Sequence, residues 1–560
     1  MRRPYLSGPP KVPVPAQWPV QLAASASIDQ PLRDGGPWIV AMNSVPKARV
    51  SADVAAVLRT IDGEKNPAQV AHRLGPPWTA ADVMGIVRQL THTGIFDGGA
   101  HPPRERRVQF RAPLTVQFTL FNPAPFLTIF RPVVAAMARP IAALPVALLL
   151  IGGILGALAA GPDVWRVLAR PLALDVYVNV AGAMLASTLL HELGHGMALS
   201  YFGGTPRRIG IMLFYLSPAF FCDVTDGWRL SSRKQRVVIA LAGPLVHLGL
   251  GSIALAAQAF LPASSVKDAA LLYGVICWAV AILNLFPFIK LDGYVALMSA
   301  VDIPHLRRKS IKALADVLCS RFLGARATFR GNGLLPWFGL ASSIAGVGFM
   351  VIGFQRIVPI FLQLGYAGHI VVFAVLCLLI VVACRSLIQF FRMAAQNGSP
   401  VWRHAVIMLL GTLAIGTLLV VIPVRPVTIA GYTYVNGQLL IVTSNQAADQ
   451  SLEPGDSVTL QSQGMIIHQN LGRAIIGDHP PSSTMAPVDT VVPIALADTT
   501  LPVLAYVGQL EGSATLPASG RAEVTNGRQT NVAEWLWQAI SHSPLWPGQA
   551  EPDDSTKGHS

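Results

Sequence analysis

Leu189-Leu190-His191-Glu192-Leu193-Gly194-His195-Gly196 lies inside an otherwise apolar run from Val176 to Phe202. A run of that length reads as a membrane-spanning helix, where two imidazoles and a carboxylate are each costly and therefore mark a function. Residues four apart share a helix face, so His191 and His195 can converge on one ion while Glu192 projects beside it. Two histidine ligands with a glutamate as general base is the arrangement of zinc hydrolases.

The composition fits that setting. Of 560 residues, 52% are hydrophobic and 13% charged, against about 25% charged in ordinary soluble proteins. A net charge of +13 is first explained by Lys and Arg retained on the cytoplasmic side of a membrane. No basic patch interleaved with aromatics points to nucleic acid. Five scattered cysteines lack metal spacing and cannot all pair internally. Met1-Arg2-Arg3 leads into a Pro-rich stretch, so no signal peptide is expected.

Residues 1–30 read as a loose Pro-, Ala- and Ser-rich arm and 31–110 as a small domain. Trp38-Ile39-Val40 and Ala48-Arg49-Val50 look like short strands. Helical patterns follow over Ser51 to Ile61, over Pro67 to Leu74, and from Thr79, with Val83, Ile86, Val87 and Leu90 on one face. Gly94-Ile95-Phe96 reads as a closing wing. This winged-helix-like order resembles the PqqD-type domain of ribosomal-peptide biosynthesis. The resemblance implies recognition of a precursor peptide's leader as an added strand.

Residues 111–424 read as a polytopic helix bundle, giving a mainly α fold class. Arg104 to Arg111 is a basic run suited to an anionic lipid surface. Seven apolar segments follow, near Ile141–Ala160, Val176–Phe202, Val237–Leu261, Leu271–Ile289, Leu334–Phe354, Ile370–Cys384 and His404–Ile422. With the N-terminal domain in the cytoplasm, Arg207, Arg208, Arg229, Arg233 and Lys234 fall in one cytoplasmic loop. Arg307, Arg308, Lys309, Lys312 and Arg321 fall in the other. This predicts a bacterial cell-membrane protein whose C-terminal region is extracytoplasmic. Residues 425–545 read as a β-rich domain, since Thr428 to Tyr432, Gln438 to Val442, Glu453 to Val458 and Thr459-Leu460 alternate and turn like short strands; the turn within Glu453 to Val458 resembles that of lipoyl-type sandwich domains. Glu534-Trp535-Leu536-Trp537 reads as a closing helix or interfacial anchor, and 546–560 as a disordered tail.

An open catalytic zinc site needs a third protein ligand. The fourth segment leads to Asn284-Leu285-Phe286-Pro287-Phe288-Ile289-Lys290-Leu291-Asp292-Gly293, and the topology brings Asp292 to the depth of His191 and His195. The other reading of Asp292-Gly293 is an ordinary helix-ending turn. With both stretches in view, the chain resembles the site-2 proteases, intramembrane zinc metalloproteases. They pair His-Glu-x-x-His on one membrane helix with Asn-x-x-Pro and Leu-Asp-Gly on another. Over residues 176–310 the resemblance implies that His191, His195 and Asp292 bind zinc and Glu192 is the general base. It also implies that Asn284 positions the substrate. Ala242-Gly243-Pro244 resembles the Gly-Pro that opens the family's next membrane helix. His247 stands where the family often has Asn, and reads as a helix-packing histidine.

Phe220 to Arg229 places Asp223 and Asp226 behind an apolar run. It reads either as a re-entrant or loop element at the mouth of the site or as an interfacial turn anchored by Trp228. With Leu291 to Tyr294 and Asp302 to Arg307 it resembles a subgroup that accompanies modified-peptide clusters, including daptide-type ones. The expected partners are a precursor peptide and the lipid bilayer, without nucleic acid. The expected activity is removal of the leader. The alternatives are a non-proteolytic export or immunity component, and a protease that cleaves a membrane-bound regulator.

Overall fold

The computed structural model describes residues 18–24, 26–31, 37–42, 45–91, 93–96, 108–111, 115–214, 217–362, 366–424, 427–435, 437–444, 452–496, 499–512, 516–525 and 530–534. Among these, seven helices are long and apolar enough to cross a membrane: Pro140–Ala159, Leu174–Tyr201, Arg233–Phe260, Ser265–Asn284, Leu334–Phe354, Ala367–Gln396 and Val401–Val421. The chain divides into two compact units. One comprises Met1–Leu155, Gly182–Ala256 and Gly274–Pro304; the other comprises Gly156–Ala181, Ala257–Tyr273 and His305–Ser560.

The first unit opens with an antiparallel sheet in which Trp38–Met42 lies between Ala26–Asp29 and Val45–Val50. Helices Ala52–Thr60, Pro67–Leu74 and Ala80–Thr91 follow, each with its expected start. Ser51 caps the first, Asn66 and Gln69 form a capping box on the second, and Thr79 and Asp82 bond reciprocally at the third. Val40, Leu58, Val70, Val83, Val87 and Ile95 form their common core. Of the expected arm, residues 1–17 lie outside the described residues, and Val20 is buried in this core with Trp18, Leu22 and Ile28 packed against it. Phe96 closes onto Leu22 by a single bridge.

A four-stranded antiparallel sheet is the larger departure from the sequence reading. Its order is Val108–Arg111, Thr115–Phe121, Ile209–Phe214, Ser217–Cys222. The end of the basic run is therefore a strand and straddles the expected boundary at 110, while residues 104–107 lie outside the described set. The segment before Asp223 is the second strand of a hairpin, and Thr225–Arg229 after it is a short 3₁₀ turn. The fourth apolar segment also stops early. Its helix ends at Asn284, and a second helix, Asp292–Val301, begins at the candidate ligand. Pro287 explains the break, since it has no N–H to donate and turns Phe286 away from helical dihedrals.

In the second unit six strands close into an antiparallel barrel: Gln438–Ser444, Val427–Val435, Ser519–Thr525, Ser457–Gln461, Asn470–Ile476 and Thr500–Glu511, the last pairing back to the first. Ser482–Pro487 adds to the long strand. The stretches expected as strands at 428–432, 438–442 and 457–460 are strands, and with three further ones they form a closed barrel around Tyr432, Ile441, Val458, Leu460 and Val524. Within the same unit, Leu172–Ala173 pairs with Ile494–Ala495 and the Tyr177 hydroxyl donates to the Pro493 carbonyl at 2.6 Å. Residues 535–537 of the expected anchor and the 546–560 tail lie outside the described residues.

Candidate metal centre

His191 and His195 lie on one face of helix Leu174–Tyr201, both buried, with their Nε2 atoms 3.2 Å apart. Asp292, the first residue of its helix, brings one carboxylate oxygen within 3.1 Å of His191 Nε2 and the other within 3.4 Å of His195 Nε2. Ligand atoms about 2.0–2.1 Å from a tetrahedral zinc sit about 3.3 Å from one another, which is the spacing found here. Among the described residues, these three form the group of His, Cys, Asp and Glu side chains able to hold a metal ion. Asp292 Oδ2 is buried 3.1 Å from His191 Nε2 at an angle that makes no hydrogen bond, an arrangement that a cation between them satisfies. The residues fit the metal.

Backbone from a neighbouring helix sets their orientation. His195 Nδ1 lies 2.7 Å from the Ile239 carbonyl, so Nδ1 carries the proton and the Nε2 lone pair faces the centre. The His247 ring lies against His191, centroids 5.0 Å apart, and is fully buried; it packs as expected. Gly243 has a different task. A Cβ there would lie 2.4 Å from His195 Nε2 and 2.5 Å from His191 Nε2, so glycine is what lets this helix approach the centre. Gly243→Ala is therefore expected to weaken zinc binding by roughly 10–100-fold, the cost of disturbing a ligand's support. Zinc titration against a chelator checks it, and an unchanged affinity would reject the clearance role.

The helix that starts at Asp292 is held by a similar close approach. A Cβ on Gly293 would lie 2.1 Å from the Leu285 carbonyl oxygen, so the chain folds back tightly after Asn284. Asn284 itself is half-buried at its helix end, with its amide donating to the Val280 carbonyl at 3.1 Å. It is not among the residues that line the cavity described next.

Glu192 accepts the Cys222 N–H on Oε2 at 2.8 Å. Cys222 ends the outer strand of the four-stranded sheet, so the hairpin fixes the candidate base. Asp223 N–H donates to the carbonyl of Arg208, just before the neighbouring strand Ile209–Phe214; the Cys222 N–H, one residue earlier, points the other way. Burial pushes the Cys222 thiol up, with the nearby Glu192 and Asp223 charges adding to it, so it stays protonated. Glu192, His195, Asp292, Cys222, Trp228 and Arg236 are among the residues lining one cavity of about 170 Å³.

Asp223 and Asp226 are structural. Burial favours a raised Asp223 pKa, but hydrogen bonds from Thr225 and Arg208 outweigh it and hold the carboxyl below its usual range. Asp226 accepts the Thr205 N–H at 2.9 Å and the Arg229 guanidinium at 3.3 Å. Neither is grouped with the metal-ligating side chains. Reading the sequence missed Gly243's clearance, the Ile239 carbonyl and the Cys222 N–H. Ala242-Gly243-Pro244 was the visible signal for the first; backbone donors and acceptors leave none.

A Bacillus subtilis protein named "Putative peptide zinc metalloprotease protein YydH" is 27% identical, over 24% of this chain and 52% of that protein. The chain thus spans about half the length of that relative. A Mycobacterium tuberculosis protein named "Putative zinc metalloprotease Rip2" is 30% identical, over 30% of this chain and 73% of that protein. No family model and no solved structure matches the chain. Zinc is the cofactor: it stands in both relatives' names, and two imidazoles with a carboxylate are donors it takes.

Proposed function

We propose, from the premise that this chain belongs to the zinc metalloprotease family that includes Rip2, that it is an intramembrane zinc endopeptidase of site-2 type. In this reading it removes the leader of a ribosomally made, modified precursor peptide. One observation carries the hydrolytic part: Glu192 lines the same cavity as His195 and Asp292, and His191, His195 and Asp292 stand at tetrahedral-edge spacing. His191, His195 and Asp292 hold the metal. Bound zinc supplies Lewis acidity toward a water and the scissile carbonyl. Glu192, pinned by Cys222, takes the proton of the attacking water and later hands it to the leaving amine.

A substrate helix hides its carbonyls in its own hydrogen bonds, so the scissile segment must be extended. Ser217–Cys222 is an outer strand beside the base and offers an edge on which an extended segment can pair. Asn284, close to Asp292 through the Leu285–Gly293 approach, orients that segment. We assign leader recognition to residues 18–96 on the sequence resemblance to PqqD-type domains; the outer strand Val45–Val50 offers an edge for it. In this reading the N-terminal domain and the mouth of the site are cytoplasmic, which the basic loops support.

The test is a precursor peptide encoded beside this gene, incubated with the full-length protein in lipid nanodiscs and read by mass spectrometry. Loss of the leader is expected. An intact precursor alongside cleavage of another membrane peptide would reject leader removal and keep the protease.

A further inference from the structure

The cavity beside Glu192 has a cationic wall that the hydrolytic chemistry does not use. Arg236 is 4% exposed and lines this cavity. Its guanidinium donates to Asp302 Oδ1 at 2.6 Å and to the Leu230 carbonyl at 2.6 Å, while its buried Nε has no hydrogen-bond partner. Asp302 is shared. Arg49, from the N-terminal sheet, reaches the same Oδ1 at 3.3 Å, and Arg233 reaches Oδ2 at 3.5 Å. Arg233 is 60% exposed and solvated. Arg49 and Arg236 flank the Trp228 ring, 5.3 and 5.8 Å from its centroid, and Trp228 also lines the cavity. One carboxylate thus serves three guanidiniums, of which Arg236 alone is buried and Arg49 is partly exposed. Three cations on one carboxylate leave a positive surplus that an anion can complete, and guanidinium is suited to carboxylate.

We propose that Arg236, with Arg49 behind it, forms a specificity subsite for an acidic side chain of the peptide substrate, next to the scissile bond. The proposal rests on the protease reading and names its substrate class: a peptide carrying Asp or Glu beside the cleavage site. A peptide is favoured over a lipid headgroup because Arg236, with its Nε unpartnered, lies in the same cavity as the base and a metal ligand. Arg49, on the outer strand of the N-terminal sheet, stands behind the cavity lining and also donates to the Trp228 carbonyl at 3.1 Å.

Affinity selection from a synthetic peptide library, on full-length Glu192→Gln protein loaded with zinc in phosphatidylcholine nanodiscs, reads this independently of turnover. Bound peptides should be enriched in Asp or Glu at one position by roughly tenfold, the scale of one charge-assisted hydrogen bond. Adding Arg236→Gln should erase the enrichment, and Arg236→Lys should keep part of it; zinc content reports whether each variant is folded. No acidic enrichment, or enrichment untouched in both variants, overturns the proposal. So does its disappearance in phosphatidylglycerol nanodiscs, which would make a headgroup the ligand. Selected peptides that the wild type leaves uncut would instead reject the protease reading.

Discussion

Glu192→Gln is expected to lower peptide hydrolysis by about 10²–10⁴-fold, the usual contribution of a positioned general base, with zinc content unchanged. Glutamine matches glutamate in shape and keeps an oxygen to accept the Cys222 N–H, now 2.8 Å from Glu192 Oε2, so the hairpin contact survives. It has no basic oxygen to take the proton of the attacking water. The atoms at metal-binding spacing belong to His191, His195 and Asp292, so the metal loses no donor. Turnover and zinc content measured on one preparation separate the roles. Wild-type turnover in the variant would remove the base assignment, and loss of zinc would make Glu192 a ligand.

Asp292→Ala is expected to weaken zinc binding by more than about 100-fold, beyond the cost of losing a ligand's supporting contact. The remaining donors would be two imidazole nitrogens 3.2 Å apart, short of the three protein ligands of an open site. The fold should tolerate the change, because Asp292 occupies the first turn of its helix and the tight Leu285–Gly293 approach depends on Gly293. Zinc titration of the purified variant checks this. Full stoichiometry at wild-type affinity would show that Asp292 does not hold the metal.

How far the sequence carried depends on whether a pattern was local. His191 and His195 are four apart on a helix, and that spacing is enough to place both at one point. Asp292 was reachable through Leu291-Asp292-Gly293, but the break after Asn284 that makes it a helix start required weighing Pro287 against an otherwise apolar run. The hairpin Ile209–Cys222 was hidden for a different reason. Gly210 to Phe221 is almost continuously apolar and lacks the alternation that marks a half-buried strand. Its partner, Thr115–Phe121, lies some ninety residues away, where no local pattern points. Alternation and turns marked the barrel strands at 428–432, 438–442 and 457–460 but not Asn470–Ile476, Thr500–Glu511 or Ser519–Thr525, and closure depends on Thr500–Glu511 pairing with Gln438–Ser444 and Asn470–Ile476. The cationic wall is likewise a product of folding: Arg49, Arg236 and Asp302 are brought together from three distant segments.

X-ray absorption at the zinc edge of the full-length protein tests the central claim most directly. A single zinc bound by two imidazoles and a carboxylate oxygen, losing that oxygen in Asp292→Ala, is the result expected from His191, His195 and Asp292. A hydrolytically active protein without zinc, or one whose zinc signal is the same in Asp292→Ala, would contradict it.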